Sequence, residues 1–305
     1  MVRSLVQRYK RSASWLLTLA GAFGLYVVTR DLHWSLLAES ARQTAMWTWM
    51  VSLGGLMLSH GLRAGRIRSE WRGRLHMSWR TAWALTVRHA AWIVLSPLRT
   101  GEAIYVWALH RQGGVDLGTA ARSLVKLRMQ DLAVLLLWTL LLAGPGQWPL
   151  RLMICAVILV LLVVYLPRWL SLMPMTRFLG RPAASVQLGH GSRSGWAYAL
   201  LNWPVKFMAL ALPLQALSGL EARSAWVAVA GGEWAALIPV QPIAGFGTYE
   251  AGVVASARWM EPASIAVVAA AALFVHVLSL GVTVGSAWLA HSLGWSDADL
   301  RISVH

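Results

Sequence analysis

Two stretches near the start of the chain, residues 12–29 and 43–62, contain no aspartate, glutamate, lysine or arginine. Wound as helices, each is long enough to cross the roughly 30 Å hydrocarbon core of a bilayer. Such runs constrain the fold more than any local propensity. In lipid every backbone N–H and C=O must find a partner inside the protein, which leaves helices and closed barrels as spanning structures.

The same character continues along the sequence, with 57% hydrophobic and only 13% charged residues, against about a quarter charged in soluble domains. We therefore expect an all-α, polytopic integral membrane protein, with residues 1–305 as a single membrane domain and no appended soluble catalytic domain. Residues 132–150, 152–167, 194–220, 224–240 and 262–296 join the first two runs to give about seven transmembrane helices.

Two further sections are apolar but broken. Residues 81–111 are interrupted by Arg88, Pro97, Arg99, Gly101 and Glu102, and residues 241–258 follow Pro239 and carry Pro242, Gly245 and Gly247 ahead of Glu250. Each is expected to be re-entrant, because broken backbone at membrane depth is tolerated where protein or a watery cavity covers it. The repetition suggests two pseudo-related halves, 1–167 and 194–296, joined by a cytoplasmic loop over 168–193.

The net charge of +15 is distributed between the apolar runs. Arg3, Arg8, Lys10 and Arg11 precede the first, Arg63 to Arg80 follow the second, and Arg168, Arg177, Arg181 and Arg193 occupy the long loop. The positive-inside rule then puts the N-terminus in the cytoplasm, the Gly144-Pro145-Gly146 turn outside, and the chain in the inner (cytoplasmic) membrane as a multi-pass protein. Topology accounts for the basic residues, so nucleic acid is not an expected partner. Ala20-Gly21-Ala22 has the small-x-small form of a signal-peptidase site, but it lies in mid-run, which reads as a retained anchor. Cys155 is the single cysteine, so one chain can form neither a disulfide nor a cysteine metal site.

Candidate chemistry gathers at the two breaks. Proline and glycine free backbone groups and leave a helix N-terminus at depth, which favours anions. A pair of Gly/Pro-interrupted segments in corresponding halves is the best sequence pointer to a transport site. The competing reading is a packing kink, with glycine admitting a neighbouring helix. Lys206 and Glu233 add ionisable groups to apolar runs, where a charge is costly without a partner; they can pair with each other. Arg128 has a structural alternative in Asp131 and Arg99 in Glu102, each at i,i+3 spacing. His276 reads as a core histidine with its needs met.

These residues resemble the transmembrane region of lysylphosphatidylglycerol synthase and its stand-alone flippase-like relatives. Pro97-Leu98-Arg99-Thr100-Gly101-Glu102, with Leu109-His110-Arg111 downstream, is similar to that family's Pro-x-Arg-x-Gly-Glu signature. Arg128-Met129-Gln130-Asp131 is similar to its following Arg/Asp element, and the segment from Pro239 to Glu250 to its second, glycine-rich signature. Tyr105 stands where the family often has an arginine, a difference that bears on the headgroup bound.

The resemblance implies a protein that binds and translocates a phospholipid or other lipid, without the aminoacyl transferase of two-domain members. It implies substrate-binding roles for Arg99, Glu102, Arg128, Lys206, Glu233, Gly245, Gly247, Tyr249 and Glu250, with cations for an anionic headgroup. No catalytic residue, metal ligand or cofactor is expected. Partners would be the lipid, a second copy, or a lipid-modifying enzyme. The alternatives are an intramembrane lipid-modifying enzyme or an accessory subunit of one. The sequence lacks His-Glu-x-x-His, Gly-x-Ser-x-Gly and Gly-Lys-Ser/Thr motifs; Asp297-Ala298-Asp299 reads as a coincidence in a polar tail.

Overall fold

The computed structural model describes residues 34–96, 100–144, 147–172, 192–238, 242–295 and 301–302, with Leu19, Phe23, Tyr26 and Arg30 before them. The first expected span, 12–29, and the loop 168–193 fall largely outside these residues. Among the described residues the fold is all-α apart from one short pairing. The helices are α1 (Trp34–Gln43), α2 (Met46–Glu70), α3 (Trp79–Leu95), α4 (Glu102–Arg111), α5 (Leu117–Ala143), α6 (Trp148–Leu172), α7 (Ser192–Ser218), α8 (Ala222–Leu237), α9 (Thr248–Met260) and α10 (Ile265–Ser292). Strand β1 (Leu75–His76) pairs antiparallel with β2 (Arg301–Ile302), Leu75 opposite Ile302.

Among the described residues, three helices are long and apolar enough to cross a membrane by length and composition: α6 over Trp148–Tyr165, α7 over Ser194–Ser218 and α10 over Ile265–Ser292. In α6 none of the spanning window is buried, and Leu150, Met153, Val157, Val160, Leu161 and Tyr165 all stand exposed. A soluble monomer rarely exposes a contiguous apolar surface of this size, whereas lipid tails would cover it.

The chain folds as two compact units, each assembled from separated segments. One is drawn from Met1–Met57, Ala90–Gly101 and Lys206–Val284, the other from Leu58–His89, Glu102–Val205 and Gly285–His305. In the first, α8 and α9 meet backbone to backbone through glycine. A Cβ on Gly231 would fall 2.5 Å from Gly252 O and 1.9 Å from Ser256 Oγ, and a Cβ on Gly252 would fall 2.5 Å from Gly231 O. Small residues at such a crossing let the two backbones approach closely enough for dispersion and interhelical polar contacts. The run Ala269–Ala272 of α10, in the same unit, is fully or nearly buried.

In the second unit, Ala64, Ile67, Trp71, Leu85, Tyr105, Ala108, Leu109 and Leu127 form a continuous buried cluster. It joins α2, α3, α4 and α5.

Two helices run further than their apolar residues suggest. α2 continues through Arg63, Arg66 and Arg68 to Glu70, and α5 begins at Leu117, taking in Arg122, Lys126 and Arg128. Asp116 caps α5 by accepting from Thr119 N at 3.1 Å, a contribution of about 1 kcal/mol. Carboxylates from neighbouring helices meet Arg66, Lys126 and Arg128.

Candidate functional site

The sequence 100–102 starts α4 where it does for a steric reason. A Cβ at Gly101 would lie 2.3 Å from the backbone carbonyl carbon and oxygen of Trp92 in α3. Only glycine permits that approach, and it brings Glu102 to the first turn of α4, where a carboxylate is favoured by the helix dipole. Arg99 and Pro97, named from the sequence, lie outside the described residues.

Glu102 is held by α5 and α3. Arg128 Nη2 lies 2.8 Å from Glu102 Oε1 and Arg128 Nε donates to Oε2 at 3.1 Å, so the guanidinium spans both carboxylate oxygens. His89 Nε2 of α3 lies 3.5 Å from Oε2. Arg128 Nη1 is also 3.6 Å from Asp131 Oδ2, the i,i+3 partner considered from sequence, but Asp131 makes its closer bond to α2: Arg66 Nη1 donates to Oδ1 at 2.6 Å. Arg66 also donates to the carbonyl of Leu127. Beside these, Lys126 Nζ meets Glu70 Oε2 at 2.8 Å with both side chains buried.

Tyr105, where an arginine stands in many relatives of the resembled family, has no exposure at all. Trp71 Nε1 donates to its hydroxyl at 3.0 Å, the hydroxyl shares a bond with Ser123 Oγ at 2.9 Å, and its ring is tilted against His89. It ties α4 to α5 and to Trp71, just past the end of α2, and is closed to any headgroup.

The cluster in the other unit is built on the second break. Pro242 leads into a 3-10 turn, Ile243–Gly245, and three residues in a short space take the left-handed conformation: Ala244 at φ 59°, Gly245 at 74° and Gly247 at 84°. Glycine occupies that region freely, whereas alanine there costs on the order of 1 kcal/mol or more. The turn delivers Gly247 as N-cap of α9, and Glu250 closes the cap: its Oε2 accepts from Gly247 N at 2.7 Å. Glu250 Oε1 faces His276 Nδ1 of α10 at 2.7 Å, and Glu250 is 2% exposed. The rings of Tyr249 and Phe246 flank His276 with centroids 4.5 and 5.3 Å away.

Lys206 lies near the midpoint of α7, and its Nζ donates to Glu233 Oε2 of α8 at 2.6 Å. Glu233 is buried and Lys206 about a quarter exposed. Gly232, the residue before it, accommodates α9: a Cβ there would be 2.7 Å from the Tyr249 ring.

The geometry thus gathers Glu102 and Arg128 in one unit, and Lys206, Glu233, Gly245, Gly247, Tyr249 and Glu250 in the other. Arg66, Glu70, His89, Lys126, Asp131 and His276 take part in these ion pairs but carried no functional assignment from sequence. A usable signal was present for the histidines, since an ionisable side chain in an apolar run needs a named partner. Among the described residues no group of His, Cys, Asp and Glu could hold a metal ion.

Fold and site together define a class, an all-α protein with helices of membrane-spanning length and ion pairs buried between them. No protein-family model and no curated protein matches the chain.

Proposed function

We propose that this protein is a flippase-like membrane protein that binds a phospholipid or other lipid and moves it across the bilayer, as the resemblance to the lysylphosphatidylglycerol synthase transmembrane region implies. The observation that carries the reading is the Lys206–Glu233 pair near the middle of α7, a helix of spanning length. An ionisable residue at that depth is costly, faces protein or water, and commonly marks a substrate path. The carboxylates at the starts of α4 and α9 support it, since each follows a glycine-dependent break of the kind that forms transport sites.

On this reading about seven helices cross the inner membrane, the sections around Glu102 and Glu250 are re-entrant, and the N-terminus is cytoplasmic. The lipid carries a phosphate or other acidic group, for which Arg99, Arg128 and Lys206 are each a candidate contact within their own unit. A second copy or a lipid-modifying enzyme is a further candidate partner.

Proteoliposomes containing the purified protein and a fluorescent phospholipid test the proposal. The expected result is leaflet exchange by the wild type and a large loss of exchange in Lys206→Met carrying Glu233→Gln to keep the site neutral. A new chemical species formed from the lipid would point instead to an enzyme. Absence of exchange in the wild type, with several lipid classes, would leave an accessory role.

A further inference from the structure

β1 and β2 are far apart in sequence and paired in space, with Leu75 opposite Ile302 and His76 opposite Arg301. A two-stranded ribbon leaves its outer backbone groups unpaired, so it lies outside the hydrocarbon, where water reaches them. A second tie holds the segment after α10. The helix ends in a left-handed Gly294 at φ 66°, with Gly294 N donating to His291 O and Trp295 N to Ala290 O. These two bonds turn the chain sharply. Trp295 then packs against the cluster of Ala84, Val87 and Ala290, and its carbonyl accepts from Arg88 Nη2 at 2.9 Å. Arg88, a cation in an apolar section, thereby meets the carbonyl end of α10, the end that favours positive charge.

Strands that share hydrogen bonds share a face of the membrane. The chain between His76 and Arg301 must therefore cross the bilayer an even number of times. Five apolar runs lie between them, at 132–150, 152–167, 194–220, 224–240 and 262–296. The sections around Glu102 and Glu250, read as re-entrant, add no crossing. One of the five runs must fail to cross.

Length picks out that run. The helices α5, α6, α7 and α10 have 25 to 28 residues, and each reaches about 37 Å or more, beyond the roughly 30 Å of hydrocarbon. α8 has 16 residues and α9 has 13, which give about 24 and about 20 Å. These two also begin and end together: Glu221 N, at the start of α8, donates to Oε2 of Glu261, just past α9, at 3.4 Å. Between those ends they meet closely at Gly231 and Gly252.

We propose that the segment after α10 is a strap fastened to the turn after α2, and that α8 and α9 form one re-entrant hairpin entering from the opposite face. The seven apolar runs then make six crossings. Pro242 to Gly247 lies between the two arms, so the Glu250 break is approached from the face away from β1. Charge asymmetry makes the face of β1 cytoplasmic and that approach exterior. The proposal rests on the re-entrant sections of the functional reading and not on movement of a lipid.

Single cysteines in the full-length protein carrying Cys155→Ala test this, with an impermeant maleimide as probe on intact and opened spheroplasts. Ala222→Cys and Pro262→Cys, at the two ends of the hairpin, are expected to react in intact spheroplasts, and Arg301→Cys and Arg72→Cys only after opening. If Pro262→Cys lowers the folded yield, Trp259→Cys, 67% exposed near the end of α9, is read in its place. The double variant His76→Cys/Arg301→Cys is expected to form a disulfide on mild oxidation, because opposed residues of an antiparallel pair have Cα atoms about 4.5–5.5 Å apart, within disulfide range. Absence of the linked peptide in mass spectrometry would overturn the strap. Ala222→Cys and Pro262→Cys reacting from opposite faces would overturn the hairpin, and Arg301→Cys reacting from the face opposite Arg72→Cys would overturn the even count behind it. Reversal of all four would overturn the exterior approach. The expected labelling in a protein that moves no lipid would refute the translocation reading and leave this topology standing; lipid exchange with Ala222→Cys and Pro262→Cys on opposite faces would do the converse.

Discussion

Glu250 and His276 are joined at 2.7 Å, and the same carboxylate caps α9 through its other oxygen. One nearly buried side chain thereby fixes both the turn before α9 and the contact of α9 with α10. Removing His276 would leave a carboxylate in the core with only the Gly247 N–H, whereas removing the charge from Glu250 leaves a neutral amide still able to bond. We expect His276→Leu to destabilise by roughly 2–3 kcal/mol and Glu250→Gln by less, because an orphaned buried charge costs more than a lost bond. Adding Glu250→Gln to His276→Leu should recover part of the loss. Thermal unfolding in detergent, followed by tryptophan fluorescence, measures this cycle; strictly additive losses would mean the two groups do not interact.

The α8–α9 crossing depends on glycine. Gly231→Ala places a methyl 1.9 Å from Ser256 Oγ and 2.5 Å from Gly252 O, so the helices must separate. Gly54 in α2 is the control, because a Cβ there meets nothing within 4 Å. Gly54→Ala is expected to leave stability unchanged or raise it by about 0.5–1 kcal/mol through helix propensity. Gly231→Ala should lower it by about 1–3 kcal/mol, the usual cost of overpacking. Similar melting temperatures for the two variants would remove the close crossing from the account.

The parts of this arrangement readable from sequence were those with a local signature. Gly101 before Glu102, and Pro242 to Gly247 before Glu250, announce helix breaks because proline and glycine act on their own backbone. Lys206 and Glu233 announce a pair because each is costly in an apolar run. The extent of α2 and α5 was not readable in the same way. Arg66, Lys126 and Arg128 look like loop residues until Asp131, Glu70 and Glu102 are brought beside them, and those carboxylates come from other helices or a different turn. His89 and His276 were likewise indistinct, since what defines each is a glutamate on another helix.

Lys206 and Glu233 should be coupled in stability as well as in transport. Lys206→Met leaves Glu233 buried without its counter-ion, a change that costs about 3–5 kcal/mol when a buried pair is broken on one side. Lys206 is about a quarter exposed, so solvent screening places the expected loss at the lower end or below it. Glu233→Gln added to Lys206→Met should restore most of the melting temperature, because an uncharged pair of similar volume avoids the desolvation cost. Failure of the second substitution to rescue the first would show that Lys206 acts through contacts other than the ion pair.

Topology provides the last prediction, because the charge asymmetry makes a directional claim that the helices alone do not. The turn after α2 carries Arg72 and Arg74, while Gln147 precedes α6 at the far end of α5. If cations remain cytoplasmic, these two positions lie on opposite sides of the membrane. In a Cys155→Ala background, a cysteine replacing Arg72 should react with an impermeant maleimide only after the cells are opened. One replacing Gln147 should react in intact spheroplasts. α5 is 27 residues long, which as a helix reaches about 40 Å and exceeds the roughly 30 Å hydrocarbon core. Residues 132–143 alone reach only about 18 Å, so a crossing by α5 takes part of its basic N-terminal half into the membrane. Labelling of both cysteines from the same side would contradict a crossing by α5 and with it the proposed order of spans.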